Sequence, residues 1–566
     1  MHRKIFLILF LVCSIGLSGC SQASSNDVKA ENVSLQIGEE LYLEENGVDE
    51  CISDDNSVVR ADIQGKIVKL SALSAGTAIV ELKKTEKLIA KYRIVVSESL
   101  FADFRLKNGN LIAINLSEKA DYQVEIEGVQ IADNRNNFDF SVSKKIAVID
   151  KSGLITAYKS GVASVAVKEK KSGNTMIADL VVTGEKNYIS ELDTGAVGTG
   201  NHVQGIDADT KGEYIYYSFT DRIIKQDING NIVGSVVGFD KYGAGAHLGD
   251  VAFNDSDGML YCSLTKNIFY GLPDEKLMLQ PNCYVVIVDV DKINEMEMSP
   301  EKVSQMVYIG APIVELAAQD GVGEYGDITQ LGGKYGVLNT IDSMTFGPMF
   351  GEPDGKTYLT LGLGMVANSA QFKDDTYPEG VYARQRTDND YIVLVQYDVT
   401  KWDEYKTVFG NFGTEGPNAF DNIYFYYMGY HDYGIQNLMY DEFLKAYFLT
   451  GYGLTNEPGQ TQFPGYTFFV LDAKRQAEEK ELIGNNEKGL TVYEKCGIID
   501  GSTGICGYNF DASVGLLSFG DGNYFVASAY NGNQGQGAKL KLYKNNISEF
   551  EEFTDKLPFV AASNNE

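Results

Sequence analysis

Read for its polar and apolar positions, the chain is a succession of short alternating runs. Between residues 31 and 97 they begin at Val33, Ser57, Ile67, Gly76 and Tyr92, each with period two, and turn residues separate them. That spacing predicts a small β-sandwich. Residues 100–184 repeat the pattern, with runs from Lys145 and Ser160. From about 185 onward the runs become more apolar and fall into groups of four. The groups open at Val203, Leu248, Ile341, Gly434 and Val514. Repeated groups of four antiparallel strands are the signature of a β-propeller. The count is five blades, or six if residues 310–340 hold another.

The fold expected is therefore all-β: two sandwiches (31–98 and 99–184) followed by a five-bladed or six-bladed propeller (185–560). In such a repeat, the connection from the last strand to the next first strand and the connection from the second strand to the third lie on one face. The long segments 265–282, 310–340, 362–390, 410–433, 453–465 and 484–512 all fall in that set, and long loops on a rigid scaffold are where binding residues concentrate.

The N-terminus reads as a targeting segment. His2-Arg3-Lys4 precedes an apolar run from Ile5 to Leu17 that is too short to span a bilayer. Leu17-Ser18-Gly19-Cys20 follows and resembles the lipobox of bacterial lipoproteins. The resemblance implies cleavage before Cys20, acylation of its thiol, and a lipid-anchored, extracytoplasmic protein. Residues 21–30 then form a polar tether.

In the second sandwich, Lys145-Ile-Ala-Val-Ile-Asp-Lys-Ser-Gly-Leu-Ile-Thr-Ala leads to Ser160-Gly-Val-Ala-Ser-Val. This resembles the group 2 bacterial Ig-like domains, and Gly76-Thr-Ala-Ile-Val is a looser copy. The resemblance implies stalk or adhesion modules at a cell surface. His-Val-Gln-Gly, His-Leu-Gly-Asp and Gly-Ile-Gln are similar to phrases in secreted bacterial propeller proteins.

Composition narrows the partners. The net charge of -30 argues against nucleic acid, whose affinity rests on cationic contacts to phosphate. An extracytoplasmic site permits disulfides. Cys262 with Cys283, at adjoining strand ends, and Cys496 with Cys506, within one loop, are plausible bridges that could equally stay open, and Cys51 is left unpaired.

Beyond His2 the chain has three histidines, His202, His247 and His431, each just before the run that opens a repeat. Imidazole suits proton transfer near neutral pH and metal ligation. Three at one structural position point to a site, although each could instead hydrogen-bond a neighbouring repeat. Around the same mouth the pattern places Gln204, Asp207, Asp250, Asp342, Gln436 and Asn437. An aromatic stretch contributes Tyr427, Tyr430 and Tyr433, and an insertion contributes Arg384 and Arg386.

Three functions follow. In the first, the mouth binds an extracellular glycan, with tyrosines stacking on sugar rings and Asp, Gln and His hydrogen-bonding them. In the second, it is a hydrolase: Asp250 and Asp342 form a glycosidase carboxylate pair, or His202, His247 and His431 hold a divalent metal ion. In the third, the propeller is adhesive or structural.

Overall fold

The computed structural model describes residues 4–7, 28, 30–36, 40–44, 47–64, 67–97, 106–107, 110–126, 135–170, 173–242, 246–266, 282–317, 340–364, 390–429, 434–452, 462–483, 487–495, 497–533, 535–547 and 556–562. The protein is nearly all β and divides into two compact units, Met1–Glu185 and Lys186–Glu566.

The first unit holds two sandwiches with one topology. In the first, Glu31–Gln36 pairs parallel with Lys87–Ser97, which continues through Gly76–Lys84 to Glu50–Ser53. In the second, Leu111–Asn115 pairs parallel with Thr175–Thr183, which continues through Gly161–Glu169 to Phe138–Val142. A second sheet covers each of these. Alternation makes the cores: Val68, Leu70, Ala78, Val80, Leu82 and Ile94 are buried in one, and Ile155, Val165, Val167 and Leu180 in the other. Gly76 and Gly161 open corresponding strands at φ 158° and 152°. A Cβ at Gly76 would meet Val58 at 2.8 Å, and one at Gly161 would meet Ile146 at 3.4 Å. The shared glycine thus lets the strand start close against an apolar side chain. Lys4–Leu7 lies parallel to Glu40–Leu43 at a sheet edge. Cys20 and the rest of the expected signal lie outside the described residues.

Among the described residues the second unit contains five sheets of three or more strands and one two-stranded sheet, Ile498–Ile499 with Cys506–Gly507. Sheet I is Val203–Ala208, Tyr214–Phe219, Arg222–Asp227 and Ile232–Val237. Sheet II starts with His247–Asn254, sheet III with Thr340–Pro348, sheet IV with Ile435–Asp441 and sheet V with Leu516–Ser518. The first strands adjoin in cyclic order, I to II to III to IV to V and back to I. An apolar cluster fills each junction: Tyr216, Leu248 and Val286 between I and II, Tyr261, Val285 and Leu361 between II and III, and Leu394, Tyr447 and Phe469 between III and IV. Ile206, Phe448 and Phe525 join sheets I, IV and V in one further cluster.

Four strands sit elsewhere than their repeat predicts. The run at Lys406 was expected as the fourth strand of the third repeat. Thr407–Val408 instead extends the outer edge of sheet II. That fourth position in sheet III belongs to Asn422–Tyr427, the stretch expected to be an aromatic loop. The run ending the fourth repeat, from Glu481, pairs as Glu478–Glu481 with Lys488–Thr491 on sheet III. Sheet V is completed by Glu191–Asp193, from the start of the unit, against Gly535–Asn545. The run expected there, from Phe550, lies outside the described residues.

Candidate functional site

The first strands converge with one backbone edge bare of any sheet partner. Side chains supply the missing hydrogen bonds. Asp250 is 2% exposed, and its carboxylate accepts the N–H of Val251 (2.9 Å), Met344 (3.1 Å) and Leu438 (3.1 Å), tying sheets II, III and IV. Burial pushes this carboxyl well above the usual range, against the three N–H groups that pull it down. Gly205 makes room for it, since a Cβ there would lie 2.2 Å from Asp250 Oδ1. Asn437 Nδ2 donates to the carbonyls of Gln204 and Ser513, each at 3.0 Å, tying IV to I and V. Asp207 accepts the N–H of Phe253 at 2.7 Å, and Thr345 Oγ1 that of Tyr440 at 3.0 Å. These ties form the floor where the five strands meet.

Above the floor, at the entry end of the first strands, His202 Nε2 lies 3.0 Å from the Tyr452 hydroxyl and 3.3 Å from Gln204 Nε2. Gln204 Nε2 also donates to Thr220 Oγ1 at 3.3 Å. The Thr220 carbonyl accepts the Leu248 N–H, which brings His247 into the same group. His202, His247 and Gln436 are half-buried, and Gln204 is buried. Burial depresses both imidazoles. His247 is held down at about 4 by burial and by the neighbouring His202. Both rings are therefore neutral at pH 7.

A recurring backbone irregularity aims these residues. Register shifts fall between Val203 and Gly205, Leu248 and Val251, Ile341 and Ser343, and Ile435 and Asn437. Each bulge frees the residue inside it (Gln204, Gly249 with Asp250, Asp342, Gln436) from ladder pairing, and Gln204 turns to His202 and Thr220 while Asp250 turns to the amides of sheets III and IV. Alternating apolar and polar residues carry no mark of this extra residue.

Several expectations change. The register makes His202 and His247 equivalent, with Thr340 and Gly434 at that position in sheets III and IV. His431 lies three residues before Gly434 and outside the described residues, as do Tyr430, Tyr433, Arg384 and Arg386. The Asp342 side chain is likewise undescribed. Asp250, expected as a catalytic carboxylate, is turned inward with both oxygens engaged. Asp207 and Asn437 are floor ties rather than open contacts. Burial pushes the Asp207 carboxyl up to about 7. Tyr424, Phe425 and Tyr426 of the expected aromatic wall are core residues, and Tyr427 is half-buried.

Cys262 and Cys283 face opposite sides of sheet II, one packed toward sheet I and the other toward sheet III, so no bridge joins them. Cys496 is outside the described residues. Among the described residues no three His, Cys, Asp or Glu side chains group as metal ligands, and no helix is long and apolar enough to cross a membrane.

Sequence reasoning missed Thr220 and Tyr452. Both stand just past the end of a second strand. The rule that second-to-third connections share the mouth face would have found them. At the other end of sheets I and V, Lys186 Nζ donates to the carbonyls of Lys211 and Gly212, and Tyr188 stacks on Phe519 at 4.2 Å. The chain thus enters this unit at the end opposite His202.

No family model matches the chain, and no curated protein matches it. Among solved structures, an endo-fucoidan hydrolase of glycoside hydrolase family 107 is similar at 7% identity over 28% of each chain, with a TM-score of 0.12. Protocadherin gamma B7 cadherin domains 1–4 are similar at 10% identity over 42% of this chain and 70% of that one, with a TM-score of 0.13. Domains 4 and 5 of the S-layer protein SbsC are similar at 14% identity over 24% and 69%, with a TM-score of 0.12. The chain covers about a quarter of the hydrolase's length. Likenesses at these TM-scores do not bear on fold or activity.

Proposed function

We propose that this is a lipid-anchored protein of the bacterial cell envelope, in which two Ig-like modules carry a five-bladed β-propeller that binds an extracellular glycan. The cyclic order of five first strands, and the strand from the start of the unit that completes the last sheet, support the propeller. The basic, apolar and Leu-Ser-Gly-Cys20 sequence in that order supports the anchor.

The observation that carries the binding reading is the polar group above the closed floor. His202, His247, Gln204, Gln436, Thr220 and Tyr452 bring neutral donors and acceptors from three sheets to one end. Uncharged hydrogen-bonding groups gathered at one end suit a polyhydroxylated ligand. The glycosidase version draws no support from Asp250, whose oxygens are spent on backbone amides. The metal version depends on His431.

The test is a glycan array probed with the full chain, wild type beside His202→Ala. Binding to a defined set of glycans that the variant loses supports the reading. Absence of binding to every glycan overturns it.

A further inference from the structure

The second and third strands of sheet V are longer than their counterparts elsewhere. Asn523–Gly532 and Gly535–Asn545 have 10 and 11 residues, where Tyr214–Phe219 and Arg222–Asp227 of sheet I have 6 each. The ladder between them runs without a break to Gly532 opposite Gly535. The first strand, Leu516–Ser518, pairs only with residues 524–526. The surplus stands beyond the first strand as a hairpin arm, residues 528–538, roughly 13 Å long at about 3.3 Å per residue. It is a second-to-third connection, so it lies at the same end as Thr220 and Tyr452.

The arm is fixed against the segment that leads into His202. The Gln536 N–H donates to the Thr199 carbonyl at 2.7 Å, and the Val197 N–H donates to the Gln536 carbonyl at 2.9 Å. The Asn201 N–H donates to Thr199 Oγ1 at 3.1 Å, one residue before His202. Two glycines permit this approach. A Cβ at Gly535 would lie 2.5 Å from the Thr199 carbonyl oxygen, and one at Gly537 would lie 2.5 Å from the Gly195 carbonyl oxygen. The Tyr530 ring comes within 2.6 Å of that second Cβ position, and its hydroxyl donates to Asp193 at 2.6 Å.

The chemistry of the arm departs from the rest of the chain. Residues 528–538 carry no charged side chain in a protein that is 22% charged, and Asn531, Asn533, Gln534 and Gln536 supply four amides. Asn531 and Asn533 are exposed and Gln536 is half-buried. Asn531 and Gln536 stand directly opposite each other in the ladder, with the Gln536 amide donating to Asn531 Oδ1. Turn chemistry explains polar residues at the tip, 533 and 534, but does not call for a pair of amides on the strands behind it. A side-chain amide offers both donors and an acceptor, so uncharged amides along an arm suit a run of hydroxyls and ring oxygens.

We infer that this arm is the outer half of the binding site, with Asn531 and Gln536 contacting sugars beyond those at His202, Gln204 and Tyr452. The ligand is then an extended glycan chain of several units. This rests on the glycan-binding reading above and deepens it by naming the length of saccharide the site takes.

The experiment is titration calorimetry of the full chain with the disaccharides and hexasaccharides of cellulose, xylan and mannan. Wild type is compared with the double variant Asn531→Ala, Gln536→Ala and with His202→Ala. In wild type a hexasaccharide should bind on the order of tenfold more tightly than its disaccharide, the worth of one or two added hydrogen bonds. The double variant should bring the hexasaccharide down to the affinity of the disaccharide, while His202→Ala weakens both lengths. Equal affinity for the two lengths in wild type overturns the inference and leaves glycan binding intact, as does a hexasaccharide advantage that survives the double variant. Failure of every saccharide to bind overturns the glycan reading and the inference together.

Discussion

The sandwiches of the first unit and the five sheets of the second solve one problem in different ways. A sandwich closes by laying one apolar face on another. Its buried residues, such as Val165, Val167 and Leu180, need nothing but apolar neighbours. Five sheets set around a line also pack face to face, but their first strands converge with one backbone edge unpaired. Apolar packing cannot satisfy that edge. The second unit therefore buries Asp250, Asn437 and Asp441 where the sandwiches bury valine and leucine, and half-buries Asp207; these carboxylates are structural ties. A buried carboxylate at the centre of such an arrangement is weak evidence for catalysis until its oxygens are shown to be free.

The comparison breaks most sharply at Asp250. Asp250→Ala leaves three buried N–H groups without an acceptor and is expected to cost about 5 kcal/mol, taking each orphaned donor at the usual 1–3. Urea unfolding followed by hydrogen exchange should show faster exchange in the first strands of sheets II, III and IV and none in residues 31–184. Uniform loss across both units would show that they unfold together. Leu180→Ala tests the apolar counterpart. It should cost about 3 kcal/mol through a cavity in the second sandwich, and leave exchange in residues 203–254 unchanged.

Acidification sharpens the comparison further. His247 titrates at about 4 when folded, against 6.5 for the free side chain. As pH falls from 6.5 toward 4, the unfolded chain takes up a proton that the folded state refuses, so stability is lost, by at most about 3 kcal/mol below pH 4. Asp207 runs the other way. Folded it titrates at about 7 against 3.8, so its penalty grows as pH rises through that interval. The difference in stability between wild type and His247→Phe should shrink as pH rises and level off above 6.5, measured by urea midpoints from pH 4 to 8. The sandwiches contain no histidine and should show no such change. The smallest effect is expected at Gly205→Ala, about 1–3 kcal/mol, since the added carbon would meet the Asp250 carboxylate at 2.2 Å and the backbone at Asp250 Cα and Val251 N at 2.8 and 3.0 Å. Combining it with Asp250→Ala should remove only the carboxylate's share of that cost, because the backbone contacts remain.

Much of this architecture is legible without the fold. Period-two alternation marks the strands because neighbouring side chains of a strand point to opposite faces, whatever the strand pairs with. The two sandwiches and the openings of the five repeats come from that local rule, and so do the residues at strand entries, His202, His247 and Gln204. What each strand pairs with is not local. Thr407–Val408 on sheet II, Glu478–Glu481 on sheet III and Glu191–Asp193 on sheet V were decided by which edge was open and near once the sheets had packed. The same holds for the site. That Asp250 is a tie, and that His247 stands apart from the ties, depends on whose amides converge on each. Alternation also skips the bulged residues, whose direction is set by the neighbouring strand. Sequence alone determined the strands and named the polar residues at one end. The tertiary structure decided which of them are consumed in tying the first strands together and which stand apart from those ties at the strand entries, because hydrogen-bond satisfaction belongs to the whole set of sheets and to no single repeat.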